Sequence, residues 1–283
     1  MLNADHALLR QLSENSQRYR DPLAAVDWAR LERDAFWLPE PALSLYGLAA
    51  YEDLALDVRR RLSQYEFINV MHAGLWLERV FMQRLTRRLS TGLPRAEYEY
   101  FLHEMREEAG HSLMFLRAIE AAGLELPEGA WRPPPVADWL ARRAPAGGVL
   151  FWAATVVAED VPDKFNRHLR AIEGINPAVR DICTVHCIDE ARHIAAARAQ
   201  LEAALPTLPR PVLALLNPLM RLLVRQYAQV FYLPPLQFYE LSGLTHGERW
   251  RRMALRNPTR QDFVRERLAP TLHLLEGYGF SLQ

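Results

Sequence analysis

Glu-x-x-His occurs twice in this chain, as Glu108-Ala109-Gly110-His111 and Glu190-Ala191-Arg192-His193, within sequence that otherwise reads as long helices. Residues three apart share one face of an α-helix, so each motif projects a carboxylate and an imidazole side by side. Two such motifs on facing helices make half of a carboxylate-bridged site for a pair of metal ions. A four-helix bundle completes the site with one further Glu from each of the other two helices. The pattern therefore demands two more buried carboxylates at matching depth.

Helical periodicity says where to look for them. Apolar residues recur through Leu54, Val58, Leu62, Phe67, Val70, Leu77 and Phe81, which predicts a first bundle helix over 51–89. Pro94 opens a second over 95–122, closed by Gly123. After a Pro-rich connection at 127–135, a third runs over 149–172 with Pro162 able to kink it, and a fourth over 178–204. Two short amphipathic helices are expected ahead of these, at 7–18 and 21–35. More helices are expected after them, packed outside the bundle. The expectation is all-α: one domain over 1–283, its bundle core at about 51–205 and a C-terminal helical extension at about 209–283.

On the first bundle helix, Glu66 and Glu78 both qualify. Glu78 precedes Glu108 by 30 residues and Glu159 precedes Glu190 by 31, so the two halves of the bundle would match. Glu66 would stand 42 residues ahead of Glu108, about three turns out of that register. Symmetry favours Glu78. Glu159 ends the apolar run 149–158, where a carboxylate is costly unless paired or bound to metal. His186 adds a third imidazole, because His186, Glu190 and His193 fall on one stripe. Glu104 takes the equivalent place on the second helix and is read as an outer or surface group. Glu107 and Asp189, each just before a motif Glu, are candidates for orienting the imidazoles. Carboxylates with imidazoles and no thiolate set suit iron or manganese better than a structural zinc.

Composition narrows the partners. The chain has 34 basic and 34 acidic residues, so no overall field recruits nucleic acid or an anionic membrane. No apolar stretch is long and uncharged enough to span a bilayer. Residues 1–5 carry no basic region leading into an apolar one, from which a cytoplasmic location is expected. Cys183 and Cys187, four apart on a helix, are expected to be reduced packing residues.

The stretch from His186 to His193, the Glu107-Glu108-Ala109-Gly110-His111 run, Glu159 at its matching distance and the segment Leu43-Ser44-Leu45-Tyr46-Gly47 together resemble the para-aminobenzoate N-oxygenase family, the AurF-type ferritin-like diiron oxygenases. The resemblance covers about residues 37–205, and its specific element is the third His. It implies a ferritin-like four-helix bundle with additional N- and C-terminal helices, and seven ligands: Glu78, Glu108, His111, Glu159, His186, Glu190 and His193. It also implies two iron ions, with manganese or a mixed Mn/Fe pair as variants, and O2 as co-substrate. The implied activity is N-oxygenation of an aryl or alkyl amine toward hydroxylamine, nitroso or nitro through a peroxo-diiron species. The alternatives are carbon hydroxylation and a ferroxidase-like metal-binding protein with no organic substrate.

An oxygenase of this kind needs a small-molecule substrate, an amine here, and an external electron donor; a homodimer is one assembly left open. Trp76, Phe81, Phe115 and Trp152 lie within two turns of the proposed ligands, where core packing is the default and some are expected to line a substrate pocket. Arg221 and Arg225 are the candidate anchor for a substrate carboxylate, with a surface role as the competing reading. The other six histidines, His6, His72, His103, His168, His246 and His273, have no partner at useful spacing.

Overall fold

The protein is described by a computed structural model over residues 6–89, 92–143 and 145–282. Residues 1–5, on which the expectation about an export signal rests, lie outside the described residues. Twelve α-helices follow in order: α1 (His6–Ser16), α2 (Pro22–Ala25), α3 (Ala49–Glu52), α4 (Leu56–Arg88), α5 (Arg95–Ala122), α6 (Pro135–Arg143), α7 (Val149–Arg170), α8 (Pro177–Ala204), α9 (Arg210–Tyr232), α10 (Leu236–Leu241), α11 (Gly247–Arg256) and α12 (Pro258–Gly277). No strand occurs among the described residues.

Helices α4, α5, α7 and α8 form the bundle, with α4 packed along α5 and α7 along α8. Their ends are set by local chemistry. Gly123 closes α5 in the left-handed region at φ 61°, where a Cβ would be strained. Asn176 opens α8 by accepting from the backbone N–H of Ala178 and Val179, with Pro177 as the first helical residue. Pro162 inside α7 has no N–H to give the Ala158 carbonyl, and the Tyr227 hydroxyl of α9 donates to that carbonyl instead at 2.9 Å.

Around the bundle, α1 and α2 pack on α5 and α8, α9 lies across α4 and α7, and α12 packs on α7. Gly110 lets the segment before α2 come close, since a Cβ there would stand 2.5 Å from the Tyr19 hydroxyl. The segment 43–47 is tied down from three directions. Ser44 donates its N–H and its Oγ–H to Glu66 of α4, and Asn257 donates to the Ser44 and Tyr46 carbonyls. Arg260 of α12 sits 3.7 Å from Glu66 and donates to the Ala42 and Tyr232 carbonyls. Glu66, Ser44 and Arg260 are all buried.

One local expectation needs correction. The helix expected over 21–35 is only the turn Pro22–Ala25 followed by a 3-10 turn at Trp28–Arg30. Asp21 and Asp27 each cap their own short turn, and Val26 between them is extended, so one amphipathic pattern is split by two start signals. The Pro-rich connection runs from 127 to Pro135, where α6 begins and continues to Arg143.

Candidate metal centre

Glu78 projects from α4, Glu108 and His111 from α5, Glu159 from α7, and His186, Glu190 and His193 from α8, and all seven side chains are buried. Their ligand atoms fall into two groups. Glu78, His111, His186 and Glu190 form one; Glu108, Glu159, Glu190 and His193 form the other, with the chosen atoms of each group within 4.8 Å of one another. Glu190 belongs to both. His111 Nδ1 lies 3.2 Å from Glu108, 3.6 Å from Glu190 and 3.9 Å from Glu78. His193 Nδ1 lies 3.1 Å from Glu108 and 3.5 Å from Glu190, and His186 Nε2 lies 3.3 Å from Glu190 and 3.5 Å from Glu78. Glu66 is not among them, being held by Ser44 and Arg260.

Each imidazole turns its other nitrogen to a fixed partner. His111 Nε2 meets Asp189 at 3.1 Å and His193 Nε2 meets Glu107 at 2.9 Å, so each orienting carboxylate comes from the helix opposite its histidine. The Arg192 guanidinium joins the two carboxylates, bonding Asp189 and standing 2.9 Å from Glu107. His186 Nδ1 is met by the side-chain amide of Asn166 at 2.9 Å. Sequence reading passed over Asn166, although its offset of seven from Glu159 puts it on the same stripe of α7. Glu104 is buried but belongs to neither group; burial, with its acidic neighbours, pushes its carboxyl up to about 8, and His193 opposes that rise.

The carboxyls of the cluster are pushed in opposite directions. Burial raises Glu78 well above the usual carboxylate range, with Glu108 and Glu190 adding to the rise. Burial likewise raises Glu159, and Glu190 adds to it. Against its own burial, Glu190 is held down to about 2 by His186, the adjoining Glu159 carboxyl and His193. His111, although buried, rises to about 9 through its bonds to Asp189 and Glu108. Even so, Glu108 Oε1, both oxygens of Glu190 and His193 Nδ1 are buried without a hydrogen bond of acceptable geometry. Buried polar atoms left in that state cost about 1–3 kcal/mol each, a penalty that coordinated cations would remove. Four carboxylates and three imidazoles, with no thiolate, fit iron or manganese.

A narrow pocket of about 20 Å³ touches Glu78, Glu159 and His186, and Leu77 and Ala158 form part of its wall. The same two residues line a larger cavity of about 310 Å³ between α4, α6, α7 and α9. Trp76 and Phe81 line this cavity, and Trp76 donates its indole N–H to Asp138 of α6. Phe115 instead faces the small pocket, its ring 5.3 Å from that of His186; Gly74 of α4 makes room, since a Cβ there would stand 2.6 Å from the Phe115 ring. Trp152 is core, stacked against Phe101. Arg221 and Arg225 are exposed, one position round α9 from its buried row of Met220, Val224 and Tyr227, and neither lines the apolar cavity. Arg225 borders a wide groove between α9 and α12. Cys183 and Cys187 are free and buried, and burial pushes the Cys187 thiol up to about 12, so neither is poised for redox chemistry.

The sequence profile of the family described as P-aminobenzoate N-oxygenase AurF matches residues 3–279. The uncharacterized protein Rv0885 of Mycobacterium tuberculosis is 26% identical over 243 residues, covering 82% of this chain and 71% of its own length. Among solved structures, an R2-like ligand-binding oxidase without metal cofactor aligns with a TM-score of 0.59 at 17% identity, covering 97% of both chains. A variant of such an oxidase with an aerobically reconstituted Mn/Fe cofactor aligns at 0.55 and 15% identity, covering 97% of this chain and 94% of its own. The architecture is the all-α, ferritin-like four-helix bundle with added terminal helices.

Proposed function

This chain belongs to the P-aminobenzoate N-oxygenase AurF family, and from that premise we propose that it is a nonheme diiron oxygenase acting on the nitrogen of an amine. The observation that carries this reading is the contact of a buried cluster of four carboxylates and three imidazoles with an apolar cavity, through Leu77 and Ala158. An iron-storing or ferroxidase route would call for a carboxylate-lined path. Among the described residues that line this cavity, the only charged side chain is Arg84.

In this reading Glu78, His111 and His186 would hold one ion, Glu108, Glu159 and His193 would hold the other, and Glu190 is placed to serve both. The ions are two irons, or manganese with iron; R2-like ligand-binding oxidases have been reconstituted with Mn/Fe and with Fe/Fe cofactors. Bound there, the pair supplies O2 activation with electrons from an external donor. The chain's own residues do the rest. Asp189 and Glu107 accept hydrogen bonds from the Nε2–H groups of His111 and His193, leaving Nδ1 of each ring free to ligate. A neutral His186 that ligates through Nε2 carries its proton on Nδ1, so the Asn166 amide must turn its oxygen to that ring. Glu78 and Glu159 would have to be ionised to ligate, against the upward push of burial, which would tie affinity to pH. Phe115 and Leu77 keep water from the cluster and hold the substrate close to it.

The test is turnover of iron-loaded protein with a reductant, labelled O2 and a series of aryl and alkyl amines, followed by mass spectrometry. Hydroxylamine, nitroso or nitro products carrying the label are expected. Products hydroxylated only at carbon would overturn the nitrogen assignment, and repeated oxidation of Fe(II) with no organic product would overturn the oxygenase assignment altogether.

A further inference from the structure

Arg84 of α4 is 2% exposed, yet its guanidinium is largely unpartnered. Its Nη1 reaches the Arg142 carbonyl at 3.3 Å, while Nε and Nη2 have no hydrogen-bond partner among the described residues. The Phe151 ring lies 6.0 Å from its Cζ, and the charged group nearest in effect is another cation, Arg87. A buried charge with no counter-ion is costly, and a fold seldom keeps one without something to neutralise it.

Its position gives that cost a use. Arg84 lines the 310 Å³ cavity, whose other polar side chains are largely committed: Tyr227 donates to Ala158 and Trp76 to Asp138. Leu77, at the end shared with the metal-side pocket, is seven residues from Arg84 and so on the same face of α4, about 10 Å away along the helix.

We propose that Arg84 is the specificity-determining residue of the cavity: it binds the carboxylate of an elongated amphiphilic substrate whose apolar body lies along Leu77, Phe81, Phe151 and Leu223. The end of the substrate opposite the carboxylate then meets the Glu78, Glu159 and His186 side of the cluster. Only this last step rests on the oxygenase reading, because the binding preference itself requires no metal. Burial and Arg87 lower the guanidinium's proton affinity from its usual value, and an incoming carboxylate reverses that penalty. The assignment replaces Arg221 and Arg225, which face outward, as the anchor.

The experiment compares two matched pairs, 4-butylbenzoate with 4-butylbenzamide and decanoate with decanamide, by calorimetry on the purified protein, on Arg84→Met and on Arg84→Lys. Metal content is measured on the same samples. Wild type should bind the carboxylate member of at least one pair about 10- to 100-fold more tightly than its amide, the range of a desolvated charge-assisted pair. Arg84→Met should lose that preference while still binding the amide, and Arg84→Lys should restore part of it. Equal binding of acid and amide by wild type, an undiminished preference in Arg84→Met, or no binding of either pair would each overturn the assignment. A carboxylate preference in a protein that takes up no iron or manganese would leave Arg84 as the anchor and remove the diiron reading.

Discussion

Glu190→Ala is expected to purify as a folded helical protein that holds almost no metal. Glu190 is the one residue present in both ligand groups, and both of its oxygens are buried without hydrogen bonds. Losing even an outer partner of a metal ligand typically weakens binding about 10- to 100-fold, so removing a shared ligand should cost at least about 100-fold. The fold should persist, because α8 keeps its packing on α7 and alanine favours the helix. His186→Ala makes the useful contrast, since it touches one group and should weaken one ion. Elemental analysis after desalting, with circular dichroism as the check on folding, decides the matter: wild-type metal content in Glu190→Ala would contradict the assignment.

Glu66→Ala should show the opposite profile, a protein that keeps its metal and loses stability. Glu66 accepts from the N–H and the hydroxyl of Ser44 and lies beside the buried Arg260, which holds α12 to the rest of the chain. Removing the acid leaves a buried guanidinium without its counter-ion, a loss of about 3–5 kcal/mol. For a chain of this size that corresponds to a Tm lowered by on the order of 10 °C. Glu66 is 12 residues from Glu78, about 18 Å along α4, so the ligand groups should be untouched. Thermal melts and metal analysis on Glu66→Ala and Glu78→Ala side by side should separate the two roles. A Glu66 variant as stable as wild type, or one without metal, would contradict this division.

The bundle was legible in the sequence because its information is local. Glu108 with His111, and His186 with Glu190 and His193, are spaced by the helical period, and Pro94, Gly123 and Pro177 mark ends that any chain must respect. Glu107 and Asp189 could be singled out for the same reason, as neighbours of motif residues. What stayed hidden depends on which elements meet. Glu66 looked like a rival ligand until its partner Arg260, 194 residues later, came beside it. Arg221 and Arg225 sit in an apolar-looking stretch, and only the docking of α9 through Met220, Val224 and Tyr227 turns them outward. Arg84 carried no motif at all; its interest comes from a cavity walled by four helices. Asn166 was within reach of the same stripe argument that found His186, had it been extended from ligands to their hydrogen-bond partners.

The most direct test of the central claim is anomalous diffraction from crystals of the iron-loaded protein, recorded on either side of the iron edge. Two iron peaks are expected inside the bundle, one coordinated by Glu78, His111 and His186, the other by Glu108, Glu159 and His193, with Glu190 reaching both. A single peak, a zinc signal in place of iron or manganese, or metal bound away from Glu190 would contradict it.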